Sequence, residues 1–184
     1  MVIDINRKEI SIGNKYTIFV NGKQQWSASK EILNILSNLH VSIYPDGTEV
    51  IEIRQKNLLI SPEFSIRIAG KAVLQLTTVS NWKNIYQCID DKDIYTIYGH
   101  AGTKYSVFKN GIQIAYWDES SVNVLNGEQL KIYADLDANK ELLVAFCLAA
   151  DNFSSNSNTN TITINFGNIG WWLRKFDKTW KPKE

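Results

Sequence analysis

The chain is short of the residues that announce chemistry. It has 184 residues, of which two are cysteines (Cys88 and Cys147), two histidines (His40 and His100), one methionine and three prolines (Pro45, Pro62 and Pro182). Two thiols give no disulfide framework, and a chain of this length buries roughly 70% of the surface its unfolded form exposes, so it needs none. Charge of one sign is also missing: 20 Lys and Arg against 19 Asp and Glu leave a formal +1. That balance argues against a polybasic nucleic-acid binder, and the 44% hydrophobic content argues against disorder. Long apolar runs are absent too. The longest, Leu142 to Ala150, has nine residues, against the roughly 20 of a membrane-spanning helix. The opening residues, MVIDINRKEISIG, mix charges into their apolar positions and lack the apolar stretch of a secretory signal. Free thiols and residence in the cytoplasm are the expectation.

What is abundant is β-forming residues. Twenty-three isoleucines and 21 aromatic residues favour strands, because branched and aromatic side chains fit a pleated, half-buried surface. Ile51-Glu52-Ile53-Arg54, Ser65-Ile66-Arg67-Ile68 and Thr161-Ile162-Thr163-Ile164-Asn165-Phe166 alternate at period two, as strands with one wet face do. Asn21-Gly22, Asp46-Gly47, Asn110-Gly111 and Asn126-Gly127 are dipeptides that accept positive φ in tight hairpin turns. An antiparallel meander follows.

The sequence also aligns with itself. Lys15 to Gln24, KYTIFVNGKQ, matches Lys104 to Gln113, KYSVFKNGIQ, at an offset of 89 residues. From Gly13 to Asp46 the register holds without a gap, and 12 of 34 positions are identical. A duplication, about 13–52 and 102–141, is the reading. The copies diverge after Glu52 and Glu141. The first continues as an alternating strand, whereas the second becomes LLVAFCLAA, with no wet face. That stretch suits a fully enclosed helix or a central buried strand. Its leucines and alanines favour a helix over 139–151, with Asp137 or Asn139 as the cap. A helix apolar all round must be surrounded by protein. One closed antiparallel barrel, built from two similar halves around that helix, encloses it and removes exposed sheet edges. Two separate domains would leave it under-buried. The single domain then carries a polar segment at 152–160, NFSSNSNTN, expected as a flexible loop, and a C-terminal strand and extension over 161–184.

Ile43 to Ile68, Asp93 to Gly99, Lys104 to Ala115 and Asp137 to Asp151, in that order, resemble the tubby C-terminal-like barrel superfamily, which includes tubby proteins, LURP-one-related proteins and phospholipid scramblases. The resemblance covers about residues 10 to 152. It implies a twelve-stranded barrel around a hydrophobic helix, and kinship suggests binding of phospholipid or phosphoinositide headgroups. The chain departs from the family pattern in the roughly 30 residues that follow the helix. It also lacks the proline-rich segment, cysteine clusters and calcium-binding stretch of scramblases.

Residues for catalysis are few. Neither histidine stands in a metal-ligand spacing, and His100 falls in an expected turn, Gly99-His100-Ala101-Gly102. Asp90, Asp91 and Asp93 cluster without the alternation and glycine bend of a calcium loop and are expected at a solvated hairpin turn. No phosphate loop, nucleophile elbow or paired-cysteine site occurs. No cofactor is expected, and a non-catalytic binding or scaffold module is the favoured class, ahead of a small-molecule enzyme. The C-terminal stretch from 167 onward carries five basic residues against two acids and half of the six tryptophans. Trp171, Trp172, Arg174, Lys175, Lys178, Trp180 and Lys181 suit an anionic lipid interface or a protein partner; equally, the aromatic residues can pack on the barrel and leave the basic ones wet. Arg54, Lys56, Arg67 and Lys71 are the further candidate contacts.

Overall fold

Period-two alternation becomes twelve strands in the computed structural model, which describes residues 1–9, 14–33, 36–56, 62–80, 85–100, 104–118, 128–156 and 174–184. The strands are β1 (Val2–Glu9), β2 (Asn14–Val20), β3 (Lys23–Leu33), β4 (Leu36–Ile43), β5 (Glu49–Gln55), β6 (Glu63–Ile68), β7 (Leu74–Ser80), β8 (Ile85–Asp90), β9 (Asp93–His100), β10 (Lys104–Lys109), β11 (Ile112–Asp118) and β12 (Glu128–Ala134). Each pairs antiparallel with its sequence neighbours, and β1 pairs with β12, so the sheet closes on itself. Closure leaves no edge strand. Inward positions such as Ile3, Ile5, Ile18, Ile51, Ile53, Phe64, Ile66 and Ile132 are buried.

The helix α1 (Lys140–Asn156) fills the barrel. Leu142 through Ala150 are buried on every side, Phe146 meets Tyr95 of β9 at 5.8 Å, and Asp151 reaches β1 and β2. These contacts come from opposite walls. Asn139 is the cap: its Oδ1 accepts the Leu142 N–H at 3.0 Å. The helix runs five residues beyond the expected end at 151, so the segment expected as a loop from 152 begins inside it. Internal packing of the apolar stretch carries the last turn past residues that favour loops on their own. Residues 157–160, the expected strand at 161–166, Asn126-Gly127 and the pair Trp171 and Trp172 lie outside the described residues.

Local chemistry explains the turns. Asn21 and Gly22 sit at φ 49° and 79°, and Asn110 and Gly111 at 50° and 82°, the paired positive φ of a two-residue hairpin that asparagine and glycine tolerate. The Asn21 side chain also accepts the Val2 N–H, and the Asn110 side chain accepts the Ile94 N–H, each at or near 2.9 Å. A bulge follows at the same place in both copies, between Ile18 and Phe19 and between Val107 and Phe108. The third strands pair differently. Trp26 faces Ile43, while its counterpart Ala115 faces Ala134, a slip of two residues that keeps the same side chains inward. Asp46-Gly47 lies in a longer connection between β4 and β5 rather than a two-residue hairpin.

A buried ionic cluster pins α1 to the first strands. Arg7 Nη1 donates to Asp151 Oδ1 at 2.6 Å and the Tyr16 hydroxyl to Asp151 Oδ2 at 2.9 Å, with Lys30 also buried nearby. Burial holds the Lys30 ammonium below its usual range, partly opposed by Asp151, and burial followed by the Asp151 charge pushes the Tyr16 phenol well above its own. Removing one partner of such a pair is the costly change, because it strands a charge away from water.

Candidate functional site

An up-and-down barrel sends alternate connections to the same end. The turns after β2, β4, β6, β8 and β10 and the link from β12 to α1 therefore all meet at one end, here termed the turn end, where α1 also begins. A cavity of about 680 Å³ opens there, lined by Lys23 and Gln25 of β3, Trp26, Tyr44, Lys71 after β6, and Lys140 and Glu141 of the first helical turn. Three lysines converge from segments distant in sequence. Lys140 Nζ donates to Gln25 Oε1 at 2.9 Å and lies 5.2 Å from the Trp26 ring centroid. A cation in the first turn of a helix opposes the helix dipole, where an acid would be favoured. Gln25 is the bulged residue of β3, which is why its side chain stands clear of the ladder to meet Lys140.

A smaller recess of about 240 Å³ adjoins it, lined by Glu49, Glu52, Arg67, Gly70 and Lys71 among others. Lys71, Val50, Ile68 and Ala69 border both. At the recess, on the outer face of β5 and β6, Arg54 holds Glu52 through Nε at 2.7 Å and Nη2 at 2.5 Å, and Arg67 stands 3.5 Å from the other oxygen of the same carboxylate. Lys56 donates to Gln75 of β7 at 2.7 Å. Of the four basic candidates on the barrel, Arg54 and Arg67 thus share one carboxylate, Lys56 lies further along the same outer face, and Lys71 belongs to the cavity. Lys23 and Lys140 escaped the sequence reading. Their signal was topological: both stand at connections that an up-and-down barrel delivers to the end where Lys71 lies.

The tail runs along the outside of the barrel away from the cavity and touches the turn end at both of its ends, at Gly111 and at Asp135 and Leu136. Arg174 stacks 4.0 Å from the Phe108 centroid and 5.8 Å from that of Tyr98, and its Nη1 donates to the Gly111 carbonyl at 3.3 Å. Phe176 packs edge-on against His100 and Tyr116, and Trp180 against Tyr116. The Lys183 N–H donates to Asp135 Oδ1 at 2.6 Å, and the Lys183 carbonyl accepts from the Leu136 N–H. Residues 174–184 therefore strap the outside of β9 to β12, and Lys175, Lys178 and Lys181 are left exposed.

The histidines are far apart in the barrel. His40 of β4 meets Glu49 at 2.7 Å. His100 is the last residue of β9 rather than part of a turn, and its Nε2 lies 3.0 Å from the Ser106 hydroxyl. Strand pairing with Lys104 extends β9 through His100. Burial lowers its basicity. Neither histidine lines the two cavities described. In the acidic cluster, Asp91 and Lys92 form the β8–β9 hairpin turn, and Asp93 is bound by Lys109 at 2.8 Å and by the Asn110 side chain at 2.9 Å, which hold its carboxyl below the usual range. No helix among the described residues is long and apolar enough to cross a membrane. Comparison with known proteins finds no matching family model, no similar curated protein and no similar solved structure.

Proposed function

We propose that the chain is a non-catalytic binding module of the tubby-like kind that takes a phosphate-bearing anion, the headgroup of an anionic phospholipid, in the turn-end cavity. The observation that carries this reading is the convergence of Lys23, Lys71 and Lys140 on one cavity beside Trp26 and Tyr44. Ammonium groups supply charge and rotatable donors for phosphate oxygens, and the aromatic walls supply apolar faces for the rest of a headgroup. In the adjoining recess Arg67 is engaged by Glu52 and Glu49 adds a second acid, so the positive lining is that of the three cavity lysines. The protein-partner alternative drew on the tail, whose Phe176 and Trp180 are engaged on the barrel itself.

Titration calorimetry with a soluble inositol phosphate, with inorganic phosphate as the competing free anion, tests the reading. Lys71→Glu and Lys140→Glu are each expected to weaken inositol phosphate binding about tenfold, the equivalent of about 1.4 kcal/mol. Unchanged affinity in both variants contradicts it. Binding of inorganic phosphate as tight as that of the inositol phosphate would make the site one for the free anion.

A further inference from the structure

Among the described residues, seven large apolar side chains are exposed: Tyr44, Val73, Val79, Ile89, Ile94, Ile112 and Leu136. Scattered exposed hydrophobic residues are ordinary on soluble proteins. Their distribution here is not scattered. Six of the seven stand at the turn end, and Val79, at the far end of β7, is the exception. The six come from five separate connections: Tyr44 after β4, Val73 before β7, Ile89 and Ile94 across the β8–β9 hairpin, Ile112 after the β10–β11 turn, and Leu136 before α1. They are 43–63% exposed and rim the end onto which the lysine-lined cavity opens.

We infer that the turn end is a membrane-contacting surface, whose apolar rim enters the headgroup layer of a bilayer while the cavity holds a lipid headgroup. This rests on the proposed headgroup reading. A rim drawn from five connections is spread around the whole barrel end, with the cavity opening inside it, and matches a broad layer better than a single peptide or helix. Lys23, Lys71, Lys92 and Lys140 stand among the apolar residues and match an anionic surface. The same end carries exposed Asp46, Glu49, Asp91 and Asp137. These acids balance the lysines of the end as a whole, so the anionic preference is assigned to the cavity, where Lys23, Lys71 and Lys140 stand with the one acid Glu141. Asp93 and Asp135 do not add to that balance in the same way, since Lys109 and the Lys183 N–H engage them.

The test uses the full chain and phosphatidylcholine vesicles with and without phosphatidylserine. Ile112→Glu combined with Leu136→Glu changes two side chains that are 60% and 63% exposed, so folding is retained. The double variant is expected to partition onto anionic vesicles at least about tenfold more weakly than the native chain, while binding soluble inositol phosphate equally well. Depth is read by an environment-sensitive dye on Leu136→Cys and, separately, on Val79→Cys. Both native thiols are buried, and burial pushes the Cys88 thiol up to about 12, so labelling is confined to the introduced cysteine. A blue shift on vesicle addition at position 136 and none at 79 supports the orientation; the reverse overturns it. Vesicle binding by the double variant equal to native also overturns it. A chain that binds soluble inositol phosphate but no vesicle overturns this inference alone, whereas one that binds neither overturns the headgroup reading as well. A native dimer in solution that the double variant dissociates would make the rim an interface between copies and overturn the membrane assignment.

Discussion

Strands β1 to β3 and β9 to β11 share a turn, a bulge and a strand order, yet their outer faces differ. In β9 to β11 the outward residues Tyr98, His100, Phe108 and Tyr116 make an aromatic bed on which Arg174, Phe176 and Trp180 lie. At the corresponding places β1 to β3 carry Asn6, Lys8, Phe19 and Ser27, a wetter face. The inner faces differ in the opposite sense. Tyr16 donates to Asp151 of the helix, whereas its counterpart Tyr105 stacks on Trp117 at 4.9 Å. One half anchors the helix with charge inside, and the other anchors the tail with aromatic rings outside. The lesson is that a shared backbone pattern fixes turns and bulges, while a few outward or inward substitutions decide what each half holds.

Substitutions can break or sharpen that contrast. The largest effect is expected at the inner anchor: Asp151→Ala removes the carboxylate that Arg7 and Tyr16 share beside buried Lys30 and should cost about 3–5 kcal/mol in urea unfolding. A loss under about 1 kcal/mol would mean that apolar packing alone holds the helix. At the outer anchor, Phe176→Ala removes ring contacts with His100 and Tyr116 and should cost about 1–3 kcal/mol, with a change in near-ultraviolet circular dichroism from the tyrosines. An unchanged unfolding midpoint would show that the strap adds nothing to the barrel. The likeness of the halves is probed at the turns. Asn21→Ala and Asn110→Ala each lose a side-chain acceptor and force alanine to positive φ, so both should cost about 1–2 kcal/mol, Asn110→Ala the more because it also loses its donation to Asp93, and a smaller cost at Asn110 than at Asn21 would deny that the two turns are built alike.

The smallest effect separates His100 from Lys8, its counterpart. Burial depresses the folded-state basicity of His100, so the unfolded chain binds the extra proton more readily. Stability should therefore fall as pH drops below about 6.5, the ordinary imidazole value, and be recovered above it. His100→Gln should flatten that part of the pH profile; an unaltered profile would assign the dependence to other groups.

Much of this architecture is legible in the residues. Period-two runs, Asn-Gly turns and a nine-residue apolar stretch specify strands, hairpins and an enclosed helix, because each is a local pattern with a local cause. The helix's extra turn was hidden, since its polar residues stay helical through the packing of the residues before them. The candidate site was only partly visible. Lys71 was in view, but Lys23 and Lys140 join it solely through barrel closure, a long-range event with no local mark. The basic candidates divide between two places, because β5 and β6 stand well around the barrel from β9 to β12. Trp180 reads as a lipid contact, a partner contact or barrel packing until the ring beneath it, Tyr116, is in place.

Hydrogen exchange with and without anionic vesicles tests the central claim most directly. Added protection is expected in the turn-end connections, at Tyr44 to Val50, Ala69 to Val73, Ile89 to Ile94 and Asp135 to Asn139, while Leu142 to Ala150 stays protected in both conditions. Protection gained only on the outer face of β5 and β6, or only at the far end of the barrel around Val79, would contradict it and move the binding surface away from the turn end.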